Sequence, residues 1–316
     1  MKLKKGMIAL ALTALLSSPL YAQQISPLLK PEIQARVKKL TPAQKEILVG
    51  QYVVFDPIWL TLKDLPHDDL KQWRIRTDAI CKSYATLTGY TPPELIFIAA
   101  MPQSEFDKPI YIAHTHRDMN SICFNYTSSN FRPMLKEIKD GSYSCTMMHE
   151  LGHIFARASG ESTANFFMAY ALEHIEAPPG AWFLDIQNAA TLGKKLTGPE
   201  FRQDKTASVL QTHKTRGTRM PKTANSHEDS IHDLILFGLF EKAGGWQTYE
   251  KVFQSYAPNS TYTPPRKFTG QNADNIILCD LLDRIVHFSN DPKLLSDFPP
   301  ALLASLTTGI TATPTK

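Results

Sequence analysis

The sequence predicts a mixed α+β fold, with a small mixed sheet and adjacent helices in its first half and mostly helices in its second half. Two short apolar runs, residues 95–101 and 109–116, have the length and composition of strands. Longer amphipathic patterns at residues 65–87, 231–243 and 246–256 are typical of helices. A chain of 316 residues is long enough for one large domain or two closely joined subdomains.

Residues 1–22 have the pattern of a secretory signal peptide. Three lysines precede an apolar stretch at residues 7–16, and small residues follow as far as Ala22. The apolar stretch is too short to span a bilayer. We therefore expect cleavage near Ala22, export to the periplasm or the medium, and a monomeric mature protein without an integral membrane segment.

The charge of the chain does not favour nucleic acid as a partner. The formal net charge is +4, and removal of residues 1–22, which carry three lysines and no acidic residue, lowers it to +1. A nearly neutral mature chain lacks the basic excess that phosphate backbones select. We expect a protein or glycoprotein partner instead.

Four cysteines follow the predicted cleavage site. An even number of cysteines in an exported chain predicts one or two disulfides, with three possible pairings. A cysteine zinc site is the alternative, but no short paired spacing supports it. The four residues are Cys81, Cys123, Cys145 and Cys279.

The remaining organisation follows from composition. We divide the chain after the signal peptide into an N-terminal segment at 23–64, a subdomain at 65–192, a polar segment at 193–229, a helical subdomain at 230–306 and a disordered tail at 307–316. Basic residues are concentrated in the polar segment, which predicts a loop. Such a loop either meets an anionic substrate or is merely a solvated connection, and the second interpretation is favoured.

A pair of histidines indicates which type of reaction the protein catalyses. His149, Glu150 and His153 form the pattern His-Glu-x-x-His within an apolar stretch that predicts a buried helix. Histidines four residues apart project from one face of a helix, so that both can bind one zinc ion while Glu150 reaches a zinc-bound water. This arrangement predicts a hydrolase with one zinc ion.

A catalytic zinc site needs a third protein ligand and an open position for water. Glu161 fits best, because it opens a second apolar helix shortly after His153. Asn165, one turn further along that helix, can hydrogen-bond a histidine ligand from behind. The alternative makes Glu161 a first-turn carboxylate that favours the helix dipole, with Asn165 solvated. Weaker ligand candidates follow at Glu173, His174 and Glu176.

The predicted reaction is hydrolysis of a peptide bond. Zinc lowers the pKa of its water toward about 7 and polarises the carbonyl. Glu150 takes the water proton and passes it to the leaving amine. An additional donor must stabilise the oxyanion, and His232 and His227 are candidates, although a structural role suits each of them at least as well.

Two further histidines alternate along the second predicted strand. His114 and His116 have apolar or small neighbours, and this spacing admits a metal site. Exposed strand histidines are the favoured interpretation. The same strand, at residues 110–114, can pair with the backbone of an extended substrate.

The chain resembles the enhancin-like peptidases, which are mucin-targeting gluzincins. Residues 161–170, ESTANFFMAY, resemble the stretch E-x-T-x-N-x-F-x-x-Y that follows the zinc helix in that family. Residues 70–90 are similar to its tryptophan-containing helix ending in L-x-G. Residues 235–256 resemble its downstream pair of helices around Gly-Trp, and residues 284–298 its closing helix. The order of these blocks is preserved over about residues 65–300.

The resemblance implies a zincin-like (gluzincin) fold, a metalloendopeptidase activity and, often, mucin-type glycoprotein substrates. It implies His149, His153 and Glu161 as zinc ligands and Glu150 as the base. Two alternatives stay open. The protein is either a general secreted protease or aminopeptidase without glycan dependence, or a non-catalytic adhesin that uses the fold to bind glycoproteins.

Overall fold

A computed structural model describes residues 24–25, 29–105, 112–129, 131–156, 160–175, 197–216, 231–296, 298 and 300–315. The predicted signal peptide, the first part of the predicted strand at 109–116, and His227 lie outside these residues. Within them the protein has the mixed α+β architecture that the sequence predicts. No helix among them is both long enough and apolar enough to cross a membrane.

A five-stranded mixed sheet occupies the first half of the chain. Strands β1 and β2 both pair in parallel with β3, which pairs in parallel with β5. Strand β4 pairs antiparallel with β5 and lies at one end of the sheet. The strands are β1 Gln24–Ile25, β2 Val53–Phe55, β3 Glu94–Met101, β4 Ala113–His116 and β5 Ser121–Asn125.

Strand β3 forms because its sequence suits a central position. The run from Leu95 to Ala100 is buried throughout, as expected for a strand that is paired on both sides and covered on both faces. The prediction of a strand at residues 95–101 is therefore confirmed.

Six α-helices accompany the sheet among the described residues of this part of the chain. The third of them ends at Gly89, whose φ of 62° is a left-handed conformation that glycine adopts without steric cost. This helix agrees with the helical pattern at residues 65–87. The six are α1 Pro31–Lys38, α2 Pro42–Leu48, α3 His67–Thr88, α4 Phe131–Lys139, α5 Cys145–Phe155 and α6 Glu161–His174.

An aromatic cluster joins α3 to one face of the sheet. Trp73 of α3 contacts Phe124 of β5 with ring centroids 5.9 Å apart. Trp59, in a 3₁₀ turn at Pro57–Thr61, donates its indole N–H to the Ile98 carbonyl at 2.9 Å. All three rings are almost completely buried, so this cluster fixes α3 against the sheet.

The pairing of β4 with β5 decides which residues share each face of the sheet. Thr115 lies opposite Ile122, so both side chains point to the face that bears Phe124 and the aromatic cluster. His114 lies opposite Cys123, and these two side chains point to the other face. His116, two residues after His114, shares that second face.

The second half of the described chain is mostly helical. A π-helical turn at Leu234–Gly238 precedes α8, and Gly244 and Gly245, both with positive φ, separate α8 from α9. A strand pair, β6 and β7, accompanies them. The elements are α7 Gly198–Arg216, α8 Phe240–Ala243, α9 Trp246–Gln254, β6 Arg266–Gly270, α10 Ala273–Ser289, α11 Pro300–Thr307 and β7 Ile310–Pro314.

Helix α7, at Gly198–Arg216, corrects the middle part of the loop predicted for residues 193–229, while residues 193–196 and 217–229 lie outside the described residues. Thr197 and Glu200 form a capping box, in which Glu200 Oε2 accepts from the Thr197 amide at 2.8 Å and Thr197 Oγ1 from the Glu200 amide at 3.4 Å. Phe201 and Val209 are buried. Arg202 pairs with two carboxylates and lies 4.2 Å from the Phe240 ring centroid. Part of the basic charge is therefore structural and not available to a substrate.

The C-terminal residues also differ from the prediction. The polar composition of residues 307–316 predicts disorder, whereas Ile310–Pro314 forms β7 and pairs antiparallel with β6. Threonine and isoleucine suit an extended strand, and a partner at least forty residues away in the chain supplies the hydrogen bonds. Because this pairing is long-range, composition did not indicate it.

The predicted disulfides are absent from the structure. Cys81, Cys123, Cys145 and Cys279 are all described and buried, and no disulfide joins any two of them. A disulfide requires two Cα atoms within about 7 Å with suitably directed side chains. The number of cysteines does not show whether any two of them are this close. In the fold, the four thiols are too far apart to form a disulfide.

Candidate metal centre

Helix α5 places the two histidines of the His-Glu-x-x-His pattern side by side. Ser144 caps the helix, because its Oγ accepts a hydrogen bond from the Met147 amide at 3.3 Å. His149 and His153 follow one helical turn apart, with ring centroids 4.8 Å apart and Nε2 atoms 3.1 Å apart. The opposite side of α5 is buried, which fixes the face that the histidines present.

Glu161 brings a carboxylate to the same point. It is the first residue of α6, and its Oε2 lies 2.9 Å from His149 Nε2 while its Oε1 lies 3.5 Å from His153 Nε2. Two ligand atoms of a tetrahedral zinc ion, each at about 2.0 to 2.1 Å, are about 3.3 Å apart. The observed separations are 3.1 Å between the two Nε2 atoms and 2.9 Å and 3.5 Å from these atoms to the carboxylate oxygens, and all three are close to that value. The three side chains therefore suit a single zinc ion.

Close packing between α5 and α6 permits this convergence. A Cβ atom added at Gly152 would lie 2.8 Å from the Cα of Ala164 and 3.1 Å from its carbonyl oxygen. The obstacle is backbone, which cannot rotate away as a side chain can. Glycine is therefore required at position 152, and sequence reasoning did not single this residue out, although it stands inside the pattern.

Asn165 lies behind the first histidine, one turn after Glu161. Its Oδ1 is 3.0 Å from His149 Nδ1. When Nδ1–H donates to this oxygen, the Nε2 lone pair faces Glu161 and is free to bind a metal. Asn165 thus lies within hydrogen-bonding distance of His149, and its role in orienting a metal ligand stays a prediction.

The charges of the centre favour a cation. Hydrogen bonds from His149 and His153 hold the pKa of Glu161 well below its usual range, against the opposing effect of burial. Burial lowers the pKa of His149, but the hydrogen bond to Glu161 and the nearby Glu150 outweigh it and leave this pKa raised. The carboxylates that stabilise a proton on His149 would equally stabilise a divalent ion.

Glu150 lies between α5 and strand β4. Its side chain is buried, and its Oε2 accepts a hydrogen bond from the Thr115 hydroxyl at 2.6 Å. The same hydroxyl lies 3.0 Å from the Glu150 carbonyl oxygen. Thr115 is a site residue that the sequence analysis missed. The signal was its position between His114 and His116, which puts it on the opposite face of the strand.

No family model, curated protein or solved structure is significantly similar to this chain. The interpretation of the centre therefore depends on the geometry of its own residues.

His232 lies next to the start of α6. Its Nε2 is 3.0 Å from the Thr163 hydroxyl, and a Cβ at Gly160 would lie 3.0 Å from its Nδ1. Only 5% of the residue is exposed, and burial lowers the pKa of His232 to about 4. The structure thus brings a neutral His232 against the helix of Glu161, but not into the group of ligand atoms.

The weaker ligand candidates have other partners. Glu173 accepts from Arg202 Nε at 2.7 Å and from Trp246 Nε1 at 2.9 Å. His174 stacks on Tyr170 with ring centroids 3.9 Å apart. Glu176 lies outside the described residues. Among the weaker candidates that the structure describes, neither joins the group that could hold a metal ion, which consists of His149, His153 and Glu161.

Proposed function

We propose that this protein is an exported zinc metalloendopeptidase of the enhancin-like type, which hydrolyses peptide bonds in proteins, including mucin-type glycoproteins. The observation that carries the proposal is the convergence of the Glu161 carboxylate on both histidines, at 2.9 Å and 3.5 Å from their Nε2 atoms. Two imidazoles and one carboxylate are a ligand set of catalytic zinc, which leaves one position open for water. The resemblance of the flanking blocks to the enhancin-like family supports the same assignment.

Each residue of the centre has a role in this proposal. His149, His153 and Glu161 hold the ion, and Asn165 orients His149. Zinc, when bound, supplies a Lewis acid that polarises the scissile carbonyl and acidifies water toward a pKa of about 7. Glu150 takes the proton from the attacking water and passes it to the leaving amine.

Strand β4 provides a place for the substrate backbone. It lies at one end of the sheet, and Thr115 links it to Glu150. An extended peptide that pairs with the outer edge of such a strand runs alongside the general base. This mode of binding recognises backbone more than side chains, which suits a protein substrate.

The decisive experiment combines metal content with cleavage. Purified protein is expected to hold zinc, to cleave casein or mucin, to lose activity with a chelator and to regain it with zinc. Glu150→Gln is expected to keep the zinc and lose cleavage. Glu46→Gln is a matched control, because the Glu46 side chain is exposed, pairs with Lys71 at the surface and is not part of the candidate centre. Undiminished cleavage by Glu150→Gln contradicts the proposed base.

The substrate class needs a separate comparison. Cleavage of a mucin is measured before and after enzymatic removal of its O-glycans, and product ends from unglycosylated casein are mapped. Faster cleavage of the glycosylated form supports glycan recognition. Equal cleavage of both forms with internal cuts indicates a general endopeptidase, and cuts confined to the N-terminus indicate an aminopeptidase. Binding of mucin without any cleavage indicates an adhesin.

A further inference from the structure

A second group of metal-binding side chains lies on the β4–β5 hairpin. One ligand atom from each of His114, His116 and Cys123 lies within 4.8 Å of the other two. Among the described residues this is one of two groups of three or more such side chains, the other being His149, His153 and Glu161. The two groups share no residue.

The antiparallel register explains why these three side chains meet. His114 is directly opposite Cys123, and His116 is two residues further along the same strand. All three therefore share one face of the sheet. Thr115, which reaches Glu150, points to the opposite face. The two groups lie on opposite sides of β4.

The geometry suits a tetrahedral ion. His114 Nε2 and His116 Nε2 are 2.6 Å apart, and their rings are nearly perpendicular at 86°. A tetrahedral zinc ion holds two imidazole nitrogens about 3.3 Å apart and a nitrogen and a sulfur about 3.6 Å apart. Both rings are half-buried, and the two nitrogens would have to move apart by about 0.7 Å to reach that separation. Cys123 is only 2% exposed, so its sulfur lies at the base of the group.

The donor set selects the class of ion. Imidazole and thiolate favour zinc and neighbouring transition metals, whereas calcium and magnesium require oxygen ligands. We propose that His114, His116 and Cys123 form a second binding site for a thiophilic divalent ion, zinc above all, on the face of β4 opposite Glu150. Three protein ligands leave a fourth position for water or another donor.

An ion at this site would join β4 to β5 across their turn. It would fix the position of the strand whose Thr115 contacts Glu150, and it would stabilise the hairpin, because binding to the folded state alone raises the free energy of unfolding. The site does not depend on the proposed peptidase activity. A protein without hydrolytic function could bind this ion equally well.

Cobalt substitution tests the site directly. Cobalt(II) bound to a thiolate has a sulfur-to-metal charge-transfer absorption, and the His149, His153 and Glu161 centre contains no sulfur. Metal-free full-length protein titrated with cobalt is expected to bind two equivalents and to show this absorption. Glu161→Ala is expected to lose one equivalent and to keep the absorption. His116→Ala and Cys123→Ala are each expected to lose the absorption and to keep the other equivalent.

Controls keep the result interpretable. Cys279→Ala removes another buried thiol, which donates to the Leu306 carbonyl at 3.6 Å, and is expected to leave the absorption unchanged. Near-ultraviolet circular dichroism of each metal-free variant verifies folding. If Cys123→Ala does not fold, the absorption of His116→Ala tests the site, because His116 is only half-buried. A wild-type protein without charge-transfer absorption at saturating cobalt overturns the proposal. An absorption that survives His116→Ala and Cys123→Ala also overturns it.

Discussion

The Thr115 hydroxyl lies 2.6 Å from Glu150 Oε2 and 3.0 Å from the Glu150 carbonyl oxygen. Strand β4 and helix α5 therefore meet at the proposed general base. A hydroxyl carries a single proton, and the shorter distance favours its donation to the carboxylate. The contact restricts the orientation of Glu150 and couples it to the strand along which we propose that substrate binds.

Loss of the Thr115 hydroxyl is expected to impair catalysis more than stability. Thr115→Val keeps the shape of the side chain but removes the donor, and a hydrogen bond to a charged group contributes about 1.5 to 3 kcal/mol. We expect kcat to fall by roughly tenfold to a hundredfold, since 1.4 kcal/mol corresponds to tenfold. Steady-state cleavage of a peptide substrate measures this change. Thr115→Ser retains the hydroxyl and is expected to keep most of the activity.

Gly152→Ala is expected to disrupt the metal centre through packing. The added methyl group would lie 2.8 Å from the Cα of Ala164, so α5 and α6 must separate. Overpacking of this kind costs about 1 to 3 kcal/mol. We expect a lower thermal midpoint and a lower zinc content per chain. The double variant Gly152→Ala with Ala164→Gly is expected to recover little, because the obstacle is mainly backbone, and full recovery contradicts this explanation.

Asn165→Ala is expected to weaken zinc binding. The substitution removes the oxygen that lies 3.0 Å from His149 Nδ1 and thereby frees the ring to rotate and to change tautomer. Loss of such a partner reduces metal affinity by about 10 to 100 times. Competition with a chelator of known affinity measures the effect. Asn165→Asp keeps an acceptor at this position and is expected to bind zinc at least as tightly as the wild type.

Glu137 is expected to make stability depend on pH. The residue is 3% exposed, and burial raises the pKa of its carboxyl from 4.5 to about 8. Between these values the unfolded chain loses the proton while the folded chain keeps it, so the free energy of unfolding falls as pH rises. One such group lowers the free energy of unfolding by at most about 1.4 kcal/mol for each pH unit.

Denaturant unfolding of wild type and Glu137→Gln at several pH values checks this expectation. The contribution of Glu137 is fully present below pH 4.5 and is lost as pH rises through about 8. The variant, which is neutral throughout, is expected to have a flatter profile, and Glu46→Gln serves as the exposed control. Equal slopes for wild type and Glu137→Gln contradict a neutral buried carboxyl.

Much of the local structure was predictable because it depends on residues close together in the chain. The pairing of His149 with His153 follows from the pitch of a helix, and the end of α3 follows from Gly89. Helix α7 also had a local signal, the capping box at Thr197 and Glu200, but the surrounding basic charge favoured the prediction of a loop. The capping box was therefore present in the sequence, but the prediction gave more importance to the basic charge.

Other features were decided only by tertiary structure, because they depend on contacts between distant segments. The pairing of β7 with β6, the separation of the four thiols and the burial of His232 against Thr163 belong to this group. So does the contact of Thr115 with Glu150 across 35 positions. The sequence by itself determined which side chains are able to bind a metal. The packing of α5 on α6 and of β4 on α5 decided which of them meet, since chain connectivity does not specify distances between elements.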